Sequence, residues 1–533
     1  MSGLQYATIS LKLRQLNNLP IFLRGLQRFN STSANKPYYV TTPIFYPNSV
    51  PHIGHLHSLV VADVFARYAR ISRPVQGVHF MTGTDEHGLK IQQAAKAKGF
   101  DPQSFCDQLS QHFRNLVSKA NISHTRFSRT TERDHHEAVE YLWRELDTKG
   151  LIYKDMHEGW YSISDECFYT DTQVTHVTAD GQDYHISTET GSKVEWTQEE
   201  NYKFRLSAFR ESLLEHFKNH PMAVYPEQFH AEVVATLSGT LADLSVSRPR
   251  SRLSWGIQVP NDPEHTIYVW IDALTVYLSA TGYPWKSDKS VGKKAFWPPN
   301  LQIIGKDILR FHAIYFPAIL QALGLPLTQQ LLTHSHWTVD KRKMSKSVGN
   351  VADPLQAIDE LGLDAVRYYL ARVGGRFKDD VGAYQHSAKH ASSQLTPPDC
   401  EAATLLKTLR DDDQGLARIV DRHMQNLELA DALDRIMDTL SKVNTLLTNT
   451  APWGRDVPAE TVAETHAITL ETLRICAILL QPVIPDKAGE LLDALGIPKD
   501  QRMTEYAALG HGQVGAITPG VCLFTLPKTA TRG

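Results

Sequence analysis

Two clusters of side chains carry most of the chemistry this sequence can do. The first is Pro51-His52-Ile53-Gly54-His55, placed where a β-branched and aromatic segment gives way to an apolar helical pattern. Backbone N–H groups at a helix start are unpaired within the helix and sit at its positive pole, so their natural ligand is an anion. Two imidazoles three residues apart can both face that anion, and they can donate hydrogen bonds to phosphate oxygens as charge builds in a displacement at phosphorus. Gly54 lets a planar base approach the backbone. The second cluster is Lys341-Arg342-Lys343-Met344-Ser345-Lys346-Ser347, followed by Val348-Gly349-Asn350. A Lys-rich loop of this kind can offer positive charge to a leaving pyrophosphate in the transition state and then release it. Read singly, each has a plainer meaning: histidines that cap a helix, and a solvated basic loop.

Elements must hold these residues in place. Tyr38 to Thr42 reads as a strand, and Pro43 to Pro51, with three prolines, as the loop after it. Leu56, Leu59, Val60, Val64, Phe65 and Tyr68 recur at the spacing of one helix face, with Arg67 and Arg70 near the negative pole. Gln76 to Thr82 reads as a second strand, Gly83 to Gly88 as a turn and Leu89 to Lys98 as a helix, the opening of a doubly wound parallel fold. From Glu158 to Pro260 short aromatic and threonine-rich segments suggest an inserted, partly β domain. The strand-like stretches Thr266 to Ile271 and Leu301 to Ile304, with a helix over Ile308 to Leu323, then resume the parallel pattern. From Leu363 the period is helical, clearest over Leu427 to Leu447 and Val462 to Leu480, which Pro482 and Pro485 close. The expected fold is α/β: a split Rossmann-type parallel sheet, an inserted connective domain and a C-terminal α-helical bundle.

Composition narrows the class. The 533 residues argue for about three or four domains, and at 42% apolar and 21% charged they can bury a core. The most apolar stretch, Ala467 to Ile484, is interrupted by Glu471, Arg474 and Gln481, so no membrane span is expected. Cys106, Cys167, Cys400, Cys476 and Cys522 stand far apart, which argues against a disulfide framework and against a four-cysteine zinc site. No Asp or Glu occurs before Asp63, while Lys12, Arg14, Arg24 and Arg28 punctuate a leucine-rich start. That is the makeup of a mitochondrial transit peptide over residues 1–35, a basic amphipathic helix in physical terms. Its removal takes the net charge from −3 to −7, so a phosphate-binding surface must be a focused patch on an acidic body.

His52-Ile53-Gly54-His55 and Lys343-Met344-Ser345-Lys346-Ser347, in this order across a split nucleotide fold, resemble the paired signature of class I aminoacyl-tRNA synthetases. Within that family the chain is similar to the methionine enzymes of mitochondrial and bacterial type, through Thr42 to Asn48, Gly83-Thr84-Asp85-Glu86-His87-Gly88, Tyr268 to Leu274 and Ile304-Gly305-Lys306-Asp307-Ile308. The resemblance implies that His52 and His55 stabilise the α-phosphate of ATP, Lys343 and Lys346 the leaving pyrophosphate, and Gly305 and Asp307 the ribose, with Gly54 also at the nucleotide. It implies a methionine pocket of Ile44, Tyr46, Trp270, Ala273, Leu274, Tyr277, Ile308 and His312, with Asp85 on the ammonium. An apolar and aromatic lining suits an unbranched thioether. Mg²⁺ is expected to travel with ATP, and no structural zinc is expected, since the insertion holds only Cys167.

The same resemblance divides the chain into a transit peptide (1–35), two Rossmann halves (36–157 and 261–330) around the insertion (158–260), a lysine loop and stem-contact region (331–376), an anticodon-binding bundle (377–509) and a tail (510–533). Trp453 matches the family tryptophan that stacks on an anticodon base. Residues 381–414 lack the family's recognition pattern and read as a loop. Arg248, Arg250 and Arg252 could touch the tRNA acceptor end or form a solvated loop. The expected partner is tRNA(Met), the expected state a monomer and the expected compartment the mitochondrial matrix. Alternatives are a class I synthetase for another apolar amino acid, a catalytically idle RNA-binding descendant, and a small-molecule nucleotidyltransferase.

Overall fold

The computed structural model describes residues 36–73, 77–165, 167–179, 182–286, 292–339, 342–343, 352–377, 381–382, 398–410 and 415–524. Two units divide the chain. The larger takes Pro37–Ala66 and Gly77–Ser387, and the smaller takes Arg67–Gln76 and Ala388–Gly533.

The larger unit is built on a six-stranded sheet: β1 (Tyr38–Phe45), β2 (Val78–Thr84), β3 (Arg126–Arg129), β4 (Val224–Tyr225), β5 (Leu301–Gly305) and β6 (Gln330–His334), in the spatial order β3-β2-β1-β5-β6-β4. Every pairing is parallel. Such strands are covered on both faces and read as continuous apolar or β-branched runs, as YYVTTPIF and LQIIG do. Sequence order runs one way from β1 through β2 to β3 and the other way from β5 to β6, so the crevice at the carboxyl ends of β1 and β5 is the switch point at which such sheets bind ligands. Two details widen it. The β1–β5 ladder pairs Val40 with Leu301 and Thr41 with Gln302, and the β1–β2 register shifts between Thr41 and Ile44. Pro43 lies in that shift and has no N–H for a ladder. Helix α1 (Ile53–Ser72) follows, with Leu56, Leu59, Val60, Val61 and Val64 fully buried.

The insertion is antiparallel. Ile152–Ser162 pairs with Lys193–Phe204 along most of its length, and Cys167–Tyr169, Val174–Ala179, Gln182–Ser187 and Leu244–Ser245 complete the six-stranded sheet. Two expectations change here. β4 comes from inside the stretch read as insertion, yet it extends the parallel sheet. Thr266 to Ile271 is not a parallel strand: Asp262–Ile267 pairs antiparallel with Ser247–Pro249 and Gln258–Val259, and residues from Val269 begin a helix. Burial overrides strand propensity there. Ten of the eleven residues of Val269–Ser279 are buried, so a helix that pairs its own backbone groups suits a wholly apolar environment better than a strand without a neighbour.

In the smaller unit, helices span Pro398–Thr408, Leu416–Gln425, Leu429–Thr450, Ala459–Leu480 and Pro485–Ala494. The first corrects the loop expected over 381–414, of which 383–397 and 411–414 lie outside the described residues. Arg474, fully buried, bonds Glu471 and the carbonyls of Tyr506 and Ala508, which docks the chain beyond the last helix. Among the described residues no helix is long and apolar enough to cross a membrane, and no group of three or more His, Cys, Asp or Glu side chains could hold a metal ion.

Candidate active site

Two cavities open at the switch point of the larger unit. The smaller, about 230 Å³, is lined by His52, Gly54 and His55 at the start of α1, by Gly305 at the end of β5 with Asp307 and Ile308 beyond it, and by His334 at the end of β6 with Ser335, His336 and Trp337 beyond it. The larger, about 600 Å³, is lined by Ile44, Tyr46, Asp85, Trp270, Ala273, Leu274, Tyr277, Ile308 and His312, all nine residues expected for the amino acid. Pro43, Ile44, Tyr46, Asp307 and Ile308 border both. A carboxylate in one and a phosphate in the other could therefore meet across a shared wall. Of the residues expected at the phosphates, Lys346 lies outside the described residues, and Lys343 is described only through its backbone, in a short strand paired antiparallel with Trp337–Val339.

The two histidines of the smaller cavity are oriented by backbone. The amide of His52 donates to Nδ1 of His55 at 3.0 Å, and the amide of Gly54 donates to Nδ1 of His52 at 3.1 Å. With Nδ1 accepting in both, each neutral ring carries its proton on Nε2. The rings stack at 3.8 Å, so their Nε2–H donors form one patch. Beside them Ser58 and Nε2 of His334 are 2.8 Å apart, while Nδ1–H of His334 donates to the carbonyl of Ser335. Burial lowers the pKa of His334, which keeps that ring neutral. Asp307 Oδ1 lies 2.7 Å from where a Cβ on Gly305 would stand, and His336 approaches the same carboxylate at 3.4 Å. A side chain at Gly305 would therefore push the Asp307 carboxylate out of its place.

In the larger cavity, Tyr277 and His312 pair at 2.7 Å. Nδ1–H of His312 donates to the carbonyl of Ile308 at 2.9 Å, which leaves Nε2 to accept from the Tyr277 hydroxyl. Burial holds His312 down at about 4 and raises Tyr277 above the ordinary tyrosine range. The pair is neutral at physiological pH and suits an apolar thioether. Trp270 stacks on Phe311 at 3.6 Å with planes 16° apart. Asp85 stands just past β2, 6% exposed, its amide bonded to the carbonyl of Phe45. The turn around it is held residue by residue. A Cβ on Gly83 would fall 2.0 Å from the Ser128 carbonyl oxygen, Glu86 takes Arg129 through both oxygens, and His87 bonds Asp272 at 2.6 Å.

Sequence reasoning missed Phe311, His334, His336 and Trp337. Phe311 adjoins His312 in a π-helical turn (Phe311–Tyr315), where helical periodicity is a poor guide. The other three could have been found by looking at the carboxyl end of the strand after β5. Arg248 is corrected: it is 2% exposed, bonds Ser245 and the Ser247 carbonyl, and lies over the rings of Tyr161, Phe168 and Tyr268, so it is structural. Arg252 pairs with Glu199 at 2.9 Å. Trp453, in the turn after Leu429–Thr450 of the smaller unit, is 73% exposed, as a stacking platform for a base would be.

Comparison with known proteins bears on this geometry. Residues 38–396 match the family model described as tRNA synthetases class I (M), and residues 397–529 match the anticodon binding domain of methionyl tRNA ligase. The chain belongs to the class I methionine tRNA synthetase family. It is 41% identical to the probable mitochondrial methionine–tRNA ligase of Neurospora crassa, over 89% of this chain and 82% of that protein. It is 40% identical to the human mitochondrial methionine–tRNA ligase, over 87% and 84% respectively. A crystal structure of the Mycobacterium tuberculosis methionyl-tRNA synthetase bound by methionyl-adenylate superposes with a TM-score of 0.81 at 36% identity, covering 92% of this chain and all of that one. These relatives bear out the α/β synthetase fold with its helical anticodon-binding region, and the enzyme class. They do not favour a synthetase for another amino acid or an idle RNA-binding descendant.

Proposed function

We propose that the larger unit joins methionine to ATP and passes the product to tRNA(Met), the paired cavities being the observation that carries the reading. The methionine ammonium meets Asp85 and its side chain lies among Ile44, Tyr46, Trp270, Ala273, Leu274, Tyr277, Ile308 and His312. ATP lies over His52, Gly54, His55, Gly305 and Asp307, entering as its Mg²⁺ complex. A carboxylate oxygen of methionine attacks the α-phosphorus, the bond to the bridging oxygen breaks, and pyrophosphate leaves. The Nε2–H groups of His52 and His55 donate to the α-phosphate oxygens as their charge grows, and Lys343 and Lys346 take the charge of the departing pyrophosphate. A ribose hydroxyl at the tRNA 3′ end then attacks the methionyl carbonyl and AMP leaves. The protein's share is positioning and electrostatics.

Residues 377–509 read the anticodon, with Trp453 stacked on a base. Residues 1–35 direct import, and the enzyme works as a monomer in the mitochondrial matrix. The relatives named mitochondrial support that address. The experiment is amino-acid-dependent exchange of labelled pyrophosphate into ATP. Exchange with methionine supports the reading; exchange with another amino acid in its place, or with none, refutes it.

A further inference from the structure

We propose that Asp272 is a positioning residue for methionine, its carboxylate fixing the separation between the Asp85 segment and the helix that lines the side-chain cavity. The inference rests on the reading that this cavity takes methionine. Asp272 is 1% exposed and bridges two imidazoles, Nδ1 of His87 through Oδ2 and Nε2 of His135 through Oδ1, each at 2.6 Å. Nδ1 of His135 and the Ser279 hydroxyl are 2.9 Å apart. Both histidines are buried too. The chain of bonds therefore ties three elements: the segment after β2, the helix α2 (Arg133–Thr148) and the helix α3 (Val269–Ser279).

Those elements carry the pocket. His87 lies two residues after Asp85, and its carbonyl accepts from the Tyr46 hydroxyl at 2.9 Å. Asp272 lies between Trp270 and Ala273 on α3, with Leu274 and Tyr277 further along. None of the three clamp residues borders either cavity, so substrate does not touch them. What they set is distance. An amino acid bound at its ammonium end by Asp85 and at its far end by α3 senses any shift between the two, whereas the nucleotide cavity takes nothing from α3. Burial opposes a charged Asp272, but His87 and His135 more than offset it, and the carboxyl is held below its usual range. Around them stand His136 and Trp255, both packed on His87.

The test is steady-state pyrophosphate exchange with the full chain, varying methionine and ATP separately. For Asp272→Ala the methionine KM is expected to rise at least about tenfold while the ATP KM stays within about twofold. Asp272→Asn is the conservative variant. An asparagine keeps the shape, and His135 can accept from its amide by moving its own proton to Nδ1, where the Ser279 hydroxyl can accept it. Its methionine KM is expected to rise only about threefold. If Asp272→Ala does not fold, that threefold rise with unchanged ATP KM supports the proposal on its own. Parallel changes in both KM values, or no change in the methionine KM, overturn it. Wild-type exchange separates the two levels: with methionine active in the wild type, a failure of the variants sinks only the clamp, whereas an inactive wild type sinks the cavity reading and the clamp with it.

Discussion

Lowering the pH from 8 to 5 should leave methionine binding almost untouched by His312. The ring is buried, gives its Nδ1 proton to Ile308 and accepts from Tyr277, so protonation would force the Tyr277 hydroxyl to turn round and would leave a buried charge beside the thioether. Burial therefore brings the group from 6.5 to about 4. At pH 5 only about a tenth of such a ring is protonated, and if the neutral form alone binds methionine, the apparent KM rises by a factor of about 1.1. An unshifted ring would be almost fully protonated and would raise KM about thirtyfold. The assay is the methionine KM in pyrophosphate exchange at half-unit steps, for the wild type and for His312→Gln, which removes the titration and keeps an acceptor. A thirtyfold wild-type rise centred near 6.5 and absent from the variant would refute the neutral-pair argument. The same shift has a stability side. The unfolded chain takes the proton at 6.5 and the folded chain at about 4, so the contribution is fully present above 6.5 and is lost as pH falls through that window. The full loss is about 3 kcal/mol, of which about 2 kcal/mol has gone by pH 5.

Three further outcomes can be checked. Gly305→Ala puts a Cβ 2.7 Å from Asp307 Oδ1, and should raise the ATP KM by about tenfold with the methionine KM nearly unchanged, as separate titrations of the two substrates would read. Lys346→Ala should slow adenylate formation by about a hundredfold in single-turnover experiments while methionine affinity holds, because its contact is made in the transition state; an equal loss of methionine binding would contradict its role. Trp453→Ala removes an exposed ring worth about 1 to 3 kcal/mol per stacked base, so tRNA charging should weaken by about tenfold or more with pyrophosphate exchange preserved. An unchanged charging rate would reduce Trp453 to scaffold.

Much of the site was legible because it depends on local chemistry. His52, Gly54 and His55 follow a strand-to-helix turn that any reading of Tyr38 to Tyr68 locates, and the residues proposed to take methionine follow from the family resemblance carried by Thr42 to Asn48, Gly83 to Gly88, Tyr268 to Leu274 and Ile304 to Ile308. What stayed hidden depends on partners far away in sequence. Val269 to Ile271 looks like strand by residue type and is helix because the helix Val269–Ser279 is buried almost throughout. Val224–Tyr225 is too short to carry a period, and only its pairing with β6 makes it part of the main sheet. The Asp272 clamp spans separations of 137 and 185 residues, and nothing at Asp272 itself announces two histidines. Arg248 misled for the converse reason: a basic cluster suggests RNA, but Glu199 and three aromatic rings had already claimed its guanidinium.

The central claim is that the cavity holding Asp85, Tyr277 and His312 selects methionine for reaction with ATP bound over His52 and His55. Exchange of labelled pyrophosphate into ATP, measured on the full chain with methionine, leucine, isoleucine, valine and cysteine in parallel, tests it without any requirement for tRNA. The account predicts rapid exchange with methionine and a rate for each of the others lower by about a hundredfold or more. Comparable exchange with a branched amino acid, or none with methionine from folded protein, would contradict it.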